Sequence, residues 1–220
     1  MNPKVALFEK IIADEIREVF AQEQFPTLYD PARYILSLGG KRLRPLLTLM
    51  GADLFGSAVD KVINAALAIE IFHNFSLLHD DLMDRADMRR GQPTVHKKWN
   101  ANSAILSGDA MVIEAYRYIA KVPPASLPVI MDLFSTTAMQ ICQGQQLDMD
   151  FEKRMDVSEA EYIEMIRLKT AVLIGCALKM GALIGGAEPR DADCLYEYGI
   201  NIGLAFQLKD DLLDVYGDPR

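Results

Sequence analysis

Helical periodicity runs through almost the whole sequence, and this feature limits the possible folds most. No convincing period-two alternation and no Asn-Gly or Asp-Gly hairpin signal interrupts it. The segment 62–78 is apolar around most of its circumference, which predicts a central helix with neighbours on several sides. Ser158, followed three residues later by Glu161, forms a capping box that predicts a helix running to about Met180. The sequence therefore predicts an all-α fold, a single-domain bundle of long helices over residues 1–220.

Helix breakers divide the chain into segments of roughly four to eight turns. They fall at Phe25-Pro26, Pro31, Gly39-Gly40, Gly91-Pro93, Pro123-Pro124, Asp156-Ser158 and Glu188-Pro189. No linker-like stretch and no internal repeat separates these segments, which favours one domain.

Composition narrows the class of protein. Half of the residues are hydrophobic and a quarter are charged, which excludes disorder as the main state. The net charge of -8 and the lack of a basic patch argue against a nucleic-acid partner. The cysteines Cys142, Cys176 and Cys194 are widely spaced, so we expect buried or half-buried thiols in a reducing compartment. Lys179 splits the best candidate for a transmembrane segment, residues 171–187, so we expect a buried helix there and a soluble, cytoplasmic protein.

Two aspartate clusters share the spacing Asp-Asp-x-x-Asp, and each ends a long apolar helix. Their members are Asp80, Asp81, Asp84, Asp210, Asp211 and Asp214. The first and last carboxylates of each cluster are four residues apart, so they project from one helix face, where like charges destabilise the helix. Bound divalent cations compensate for this repulsion, and magnesium fits best because it keeps water ligands and bridges to substrate phosphates. A solvated acidic helix end is the alternative.

Basic side chains lie near the first cluster and in a glycine-containing turn. They are Lys41, Arg42, Arg44, Arg85, Arg89 and Arg90. Cations and backbone N–H groups beside metal-binding carboxylates fit a diphosphate, although a solvated charge run is the alternative. Lys169-Thr170, in an otherwise apolar helix, is a further candidate phosphate contact, and a snorkelling lysine is the alternative there.

Polar groups inside two apolar helices are further candidates. The run 143–148 holds three glutamines and Asp148, which predicts a helix facing a polar cavity, with a capping network as the alternative. His73 lies seven residues before Asp80 on the same face, and it either reaches a ligand or is a hydrogen-bonded core histidine. Glu70 and His73 form one Glu-x-x-His motif, whereas a di-iron bundle needs two.

Taken in order, these motifs resemble the trans-isoprenyl diphosphate synthases, also called polyprenyl synthetases, of the short-chain type. The matching segments are Gly-Gly-Lys-Arg-x-Arg-Pro from residue 39, Leu-Leu-His-Asp-Asp-x-x-Asp from residue 77, Arg89-Arg90-Gly91, Gly144-Gln145-x-x-Asp148, Lys169-Thr170 and Phe206-Gln207-x-x-Asp210-Asp211-x-x-Asp214. The resemblance implies an all-α bundle around a deep central cavity, a homodimer, and condensation of isopentenyl diphosphate with an allylic diphosphate.

The resemblance also assigns roles to residues, with all six aspartates in the catalytic set. It implies magnesium, as three ions with the bound diphosphate, on Asp80, Asp84, Asp210 and Asp214. It implies that the diphosphate of isopentenyl diphosphate is held by Lys41, Arg44, His73 and Arg90. It implies that the allylic diphosphate is bound, or the carbocation it leaves is stabilised, by Arg89, Lys169, Thr170 and Gln207.

Product length is predicted from side chains before the first aspartate cluster. Ser76, four residues before Asp80, is small and leaves a tunnel open. Phe72, eight residues before, lies about 12 Å deeper and is bulky enough to block growth. Phe75 is placed in the tunnel by the resemblance, because an aromatic residue at the fifth position before the motif accompanies short products. We expect farnesyl or geranylgeranyl diphosphate; the alternative is that both phenylalanines are plain core residues.

The family pattern continues beyond the point where this sequence stops, with a lysine-containing loop and further helices. We therefore expect the 220 residues to be a fragment or an ordered portion of a longer protein, and a naturally short protein is the alternative. Two other functions remain as alternatives: a class I terpene cyclase-like enzyme that ionises a diphosphate, and a non-catalytic subunit of a heteromeric synthase. The basic set around Lys41 argues against the first, and the six aspartates argue against the second.

Overall fold

The fold is almost entirely helical. The structure, a computed structural model, describes residues 2–217 apart from the side chain of Asp214. The helices are α1 (Pro3–Glu18), α2 (Pro26–Ser37), α3 (Leu43–Asp53), a 3₁₀ turn (Val59–Lys61), α4 (Ile63–Met83), α5 (Val95–Lys98), α6 (Ala101–Ile119), α7 (Leu127–Phe151), α8 (Glu159–Ile166), a π-helical turn (Arg167–Ala171), α9 (Val172–Gly185) and α10 (Pro189–Tyr216). The predicted all-α class is confirmed, although α2, α3, α5, α8 and α9 are shorter than four turns.

These helices pack in two compact units. Among the described residues, the first contains 2–49 and 63–122, and the second contains 50–62 and 123–217. In the first unit, α4 packs mainly against α6 and also contacts α1 and α2. In the second unit, α9 packs mainly against α10 and also contacts α7. Each unit therefore has a nearly apolar helix at its centre.

The central helix of the first unit matches its prediction. Eight consecutive residues of α4, from Ala65 to Phe72, are buried, so every side of the helix meets neighbouring atoms there. Burial ends near Asp81, where the helix leaves the core and the first aspartate cluster begins. The apolar sequence thus carries the carboxylates on a rigid, well-anchored helix end.

The apolar helix of the second unit begins as predicted and is then interrupted. The Ser158 side chain and Glu161 form the reciprocal capping box that starts α8. A π-helical turn at Arg167–Ala171 then separates α8 from α9. The combined segment Glu159–Gly185 is long and apolar enough to cross a membrane, but 72% of its most apolar window is buried in the fold. Such burial is typical of the core helix of a soluble protein, in agreement with the prediction.

Two local predictions about the backbone were wrong. Pro31 does not break α2 but lies buried inside it, where burial of the ring offsets the lost backbone hydrogen bond. A short hairpin joins Met88–Arg89 to Gln92–Pro93, although no hairpin was expected. Its turn places Arg90 and Gly91 at φ 51° and 73°, and arginine at such a position is not part of the usual hairpin signal.

The thiols differ from their prediction as well. Of the three cysteines, only Cys176 is buried, while Cys142 and Cys194 are exposed. All three are free, as their spacing indicated. Cys142 and Cys194 lie on helices that also contribute to the core, so their sequence context did not show which face they occupy.

Candidate active site

The first aspartate cluster lies at the C-terminal end of α4. The Asp84 N–H donates to the Asp80 carbonyl at 2.8 Å, so the helical spacing between these two residues is kept past the last residue of α4. Asp80 is half-buried and Asp84 is exposed. Asp81 points elsewhere: its side chain is 3% exposed and accepts a hydrogen bond of 2.8 Å from Arg89 Nε. The structure therefore separates the outer two carboxylates from the middle one, as the helical spacing predicted.

The hairpin after α4 positions Arg89 and Arg90 beside that cluster. Arg89 is held by Asp81, whereas Arg90 turns toward the glycine turn that precedes α3. A Cβ atom at Gly40 would lie only 2.7 Å from Arg90 Nη2, so the Arg90 guanidinium packs directly against Gly40. Burial lowers the pKa of Arg90, and the nearby Glu70 carboxylate partly opposes that effect.

Arg44 and His73 meet directly inside the first unit. Arg44 Nη1 donates to His73 Nε2 at 3.1 Å, so the histidine accepts on that nitrogen. Burial lowers the pKa of His73 well below its usual value, and the neighbouring arginines lower it further. Burial also lowers the pKa of Arg44 to about 10, with Glu70 opposing this change. Arg44 Nε is buried without a hydrogen-bond partner among the described residues, as expected for a group that faces a polar ligand.

A buried acid that the sequence analysis did not select balances these cations. Glu70 is 4% exposed and accepts a hydrogen bond of 3.0 Å from Asn74 Nδ2. Burial raises the pKa of Glu70, while Asn74 and the arginines at 44, 42 and 90 lower it. Glu70 was considered only as half of a Glu-x-x-His motif, although a charged residue in the most apolar helix was itself a signal. Lys41, by contrast, is exposed.

The predicted chain-length residues make successive side-chain contacts along α4. Phe72 is buried and its ring centroid lies 5.3 Å from that of Phe75. The Phe75 ring in turn meets His79 edge-on at 4.8 Å. Ser76 donates to the His73 carbonyl at 2.8 Å. His79, a residue that sequence reasoning left out, packs against Gly108 of α6, where a Cβ would lie 2.1 Å from the imidazole Nε2.

In the second unit, the π-helical turn holds Lys169 against α7. Lys169 Nζ donates to Asp148 at 2.6 Å. Gly144 allows this approach, because a Cβ there would lie 2.4 Å from the Lys169 backbone nitrogen. The predicted polar run 143–148 thus serves as the contact surface for the turn. The Gln145 amide beside it is buried with neither its nitrogen nor its oxygen hydrogen-bonded within the described part of the chain.

A second network links the turn to the second aspartate cluster on α10. Thr170 Oγ1 donates to Gln207 Oε1 at 3.1 Å, and Gln207 Nε2 donates to Asp211 Oδ1 at 2.8 Å. Tyr162 of α8 donates its hydroxyl hydrogen to Asp211 Oδ2. Burial, followed by this hydrogen bond, raises the pKa of Tyr162 to about 12. Tyr162 could not be selected from the sequence, because nothing in its local sequence predicts a contact with a residue 49 positions away.

The metal ligands remain a prediction. Asp210 is half-buried, and the side chain of Asp214 lies outside the described part of the chain. Among the described residues, no three His, Cys, Asp or Glu side chains are close enough to hold a metal ion by themselves. The donor set still fits magnesium, because Asp80 and Asp84 offer hard oxygen atoms in helical register, and magnesium completes its shell with water and phosphate oxygens.

Comparison with known proteins agrees with this arrangement of motifs. Residues 25–220 match the family model of the polyprenyl synthetases. The chain belongs to the polyprenyl synthetase family. A geranylgeranyl diphosphate synthase of Methanosarcina mazei is 48% identical over 204 residues, which are 92% of this chain and 62% of that protein. A geranylfarnesyl diphosphate synthase of Natronomonas pharaonis is 39% identical over 96% of this chain and 67% of its own length.

Solved structures of polyprenyl synthetases share the fold. A crystal structure of a geranylgeranyl pyrophosphate synthase superposes with a TM-score of 0.96 at 52% identity, covering 100% of this chain and 67% of that one. This chain therefore spans less than two thirds of the length of the Methanosarcina mazei protein and about two thirds of the crystallised synthase.

Proposed function

We propose that this chain carries the catalytic residues of a trans-prenyltransferase that condenses isopentenyl diphosphate with an allylic diphosphate. The observation that carries the proposal is that each unit has a helix that carries an aspartate cluster near its C-terminal end, with a polar set of the expected type beside it. In the first unit that set is the Arg44–His73 pair with Arg90, and in the second it is the Thr170–Gln207 pair. The names of the relatives point the same way.

Asp80, Asp84, Asp210 and Asp214 would hold magnesium in this proposal. When bound, magnesium, as three ions with the substrate, neutralises the charge of the departing diphosphate. The Asp84 side chain is exposed and makes no hydrogen bond or ion pair within the described residues, so its carboxylate oxygens are available to coordinate a cation. Asp81 serves differently, because its ion pair with Arg89 anchors that guanidinium where the allylic diphosphate would lie.

Arg44, His73, Arg90 and Lys41 would bind the diphosphate of isopentenyl diphosphate. Arg44 is half-buried, so its charge acts on an anion with reduced screening by water, whereas Arg90 is exposed and its charge is screened more strongly. The lowered pKa of His73 keeps its ring neutral, which lets it accept from Arg44 and orient that guanidinium. Arg44 Nε has no protein partner among the described residues, which leaves it for the ligand.

Lys169, Thr170 and Gln207 would face the allylic substrate. Lys169 sits on a π-helical turn, a feature that occurs often at functional sites. The oxygens of Thr170 and Gln207 supply partial negative charge for an allylic carbocation without being nucleophilic enough to trap it. Reaction with the double bond of isopentenyl diphosphate then competes only with weak nucleophiles.

For product length we propose farnesyl or geranylgeranyl diphosphate. The buried ring of Phe72 and the half-buried ring of Phe75 are in contact, and together they would form the floor of the product tunnel. The protein would act in the cytoplasm as a homodimer. Exposed apolar side chains on α6, among them Leu106 and Ile113, support a self-association surface.

The test is a condensation assay. The purified protein, incubated with magnesium, isopentenyl diphosphate and geranyl diphosphate, should release diphosphate and form a prenyl diphosphate of fifteen or twenty carbons. Release of diphosphate that does not depend on isopentenyl diphosphate would favour the cyclase-like alternative. No release with any allylic substrate, from a folded protein, would contradict the proposal.

A further inference from the structure

The second unit contains a hydrogen-bonded chain that the proposed reaction does not explain. It runs from Thr170 through Gln207 and Asp211 to Tyr162, across the π-helical turn, α10 and α8. Three of these residues belong to the motifs discussed above, but Tyr162 does not. Tyr162 joins the network through its hydroxyl group, which donates to Asp211.

The donors and acceptors allow only one arrangement of hydrogen atoms in this network. Asp211 is a carboxylate and only accepts, so the Gln207 group that faces it at 2.8 Å must be the NH₂. The Gln207 carbonyl oxygen is then turned to Thr170, whose hydroxyl hydrogen is consumed by that contact. Thr170 therefore presents only lone pairs to the rest of its surroundings. A flipped amide would set two oxygens against each other at the Asp211 end.

Asp211 can fix the orientation of the Gln207 amide only while its own carboxylate is held in place. One carboxylate oxygen accepts from Gln207 and the other accepts from Tyr162, so rotation of the Asp211 side chain would break both contacts. Tyr162 lies on α8, whose N-terminus is fixed by the capping box at Ser158, and its side chain is half-buried. Tyr162 is thus the fixed end of this hydrogen-bonded network.

We propose that Tyr162 is a positioning residue that acts through Asp211 to keep the Gln207 and Thr170 oxygens directed at the allylic substrate. This inference rests on the proposed prenyltransferase function. Asp211, although part of an Asp-Asp-x-x-Asp motif, then orients the Gln207 amide and the Thr170 hydroxyl. This role differs from that of Asp210, which is predicted to bind magnesium. The expected benefit is preorganisation: oxygens that face the developing cation need no reorientation when it forms.

The first test measures positioning without turnover. In ¹⁵N-labelled protein, the side-chain NH₂ signals of Gln207, identified by their loss in Gln207→Glu, report its hydrogen bond. Tyr162→Phe should shift these signals and speed their exchange with water about tenfold, because the carboxylate partner is no longer fixed. Tyr196→Phe is the matched control: Tyr196 is half-buried in the same unit, and its hydroxyl makes no hydrogen bond within the described residues.

The second test measures the effect on the reaction. Tyr162→Phe should lower kcat/KM for the allylic substrate roughly tenfold, the usual effect of one hydrogen bond to a charged group, and should leave KM for isopentenyl diphosphate unchanged. In an Asp211→Asn background the same change should cost less than about threefold, because the two residues act as one unit. Tyr196→Phe should have no effect on either constant.

Failure of the Tyr162 inference can be distinguished from failure of the proposed prenyltransferase function. A wild-type protein without condensation activity overturns the proposed function, and the amide signals still decide whether Tyr162 positions Gln207. Unchanged Gln207 signals in Tyr162→Phe overturn the inference. An active wild type that loses no rate in Tyr162→Phe, or that loses it equally in KM for isopentenyl diphosphate, overturns it as well.

Discussion

Replacing Gly144 with alanine should disturb the site through the backbone alone. The new Cβ would lie 2.4 Å from the Lys169 nitrogen and 2.7 Å from the Leu168 carbonyl carbon. Both are backbone atoms, so no side chain can rotate away, and α7 must move from the π-helical turn by about 1 Å to restore ordinary contact. That shift stretches the Lys169–Asp148 ion pair, which now measures 2.6 Å.

The two free-energy terms have opposite signs. Alanine is favoured over glycine inside a helix by about 1 kcal/mol. Overpacking a fixed backbone contact costs typically 1–3 kcal/mol, and here we expect more than the upper value because both partners are helical backbone. The net loss in the free energy of unfolding should therefore exceed about 2 kcal/mol, which lowers Tm by at least about 4 °C for a chain of this size.

Activity should fall further than stability does. A displacement of about 1 Å at a substrate-positioning group is enough to cost on the order of a hundredfold in rate. Thermal unfolding and steady-state kinetics with the allylic substrate measure the two effects separately. Gly185→Ala is the matched control, because its Cβ would meet Ala52 and Phe55 at 3.0–3.2 Å in the same unit and away from Lys169.

Gly185→Ala should therefore lose stability and keep its catalytic constants at a temperature where it stays folded. If Gly144→Ala keeps wild-type Tm and wild-type kcat/KM, the contact between α7 and the π-helical turn does not exist as described. If both variants lose activity in proportion to stability, Gly144 has no special connection to the site.

Three further predictions follow from the first unit. Arg90→Ala should raise KM for isopentenyl diphosphate more than KM for the allylic substrate, and Arg89→Ala should show the opposite bias; equal effects on both substrates would contradict the assignment. Phe75→Ala and Phe72→Ala, singly and together, should lengthen the product resolved by chromatography, and unchanged products would place the tunnel floor on another helix. The lowered pKa of His73 means that the unfolded chain binds a proton below about pH 6.5 before the folded chain does, so stability should fall with decreasing pH there by at most about 1.4 kcal/mol per pH unit. Equilibrium unfolding in urea at several pH values should show this slope reduced in His73→Gln, whereas an identical slope would mean that the ring is not buried neutral.

Local geometry explains which parts of the site the sequence predicted. The apolar circumference around residues 65–72 required a central helix, and helical spacing alone placed Asp80 and Asp84 on one face. The capping box at Ser158 was predictable for the same reason, since all its partners lie within one turn. Features that depend on neighbours a few residues away could therefore be predicted from the pattern.

Features set by distant contacts could not. The hairpin that aims Arg90 uses an arginine in the left-handed conformation, and the Arg90 guanidinium packs against Gly40, 50 residues earlier in the chain. The π-helical turn under Lys169 accompanies the close approach of Gly144, 25 residues earlier in the chain. The contact of Tyr162 with Asp211 joins helices whose mutual placement no local pattern specifies.

Magnesium-dependent binding of an unreactive allylic substrate tests the central claim most directly. Isothermal titration of the protein with geranyl thiolodiphosphate, which cannot ionise readily, should give strong binding with magnesium and none that is measurable in excess chelator. Asp84→Ala should abolish the magnesium-dependent part, while Met83→Ala, at the neighbouring exposed position, should retain it. Equal affinity with and without magnesium, or an Asp84→Ala protein that binds like the wild type, would contradict the account that the aspartate clusters bind the diphosphate through metal ions.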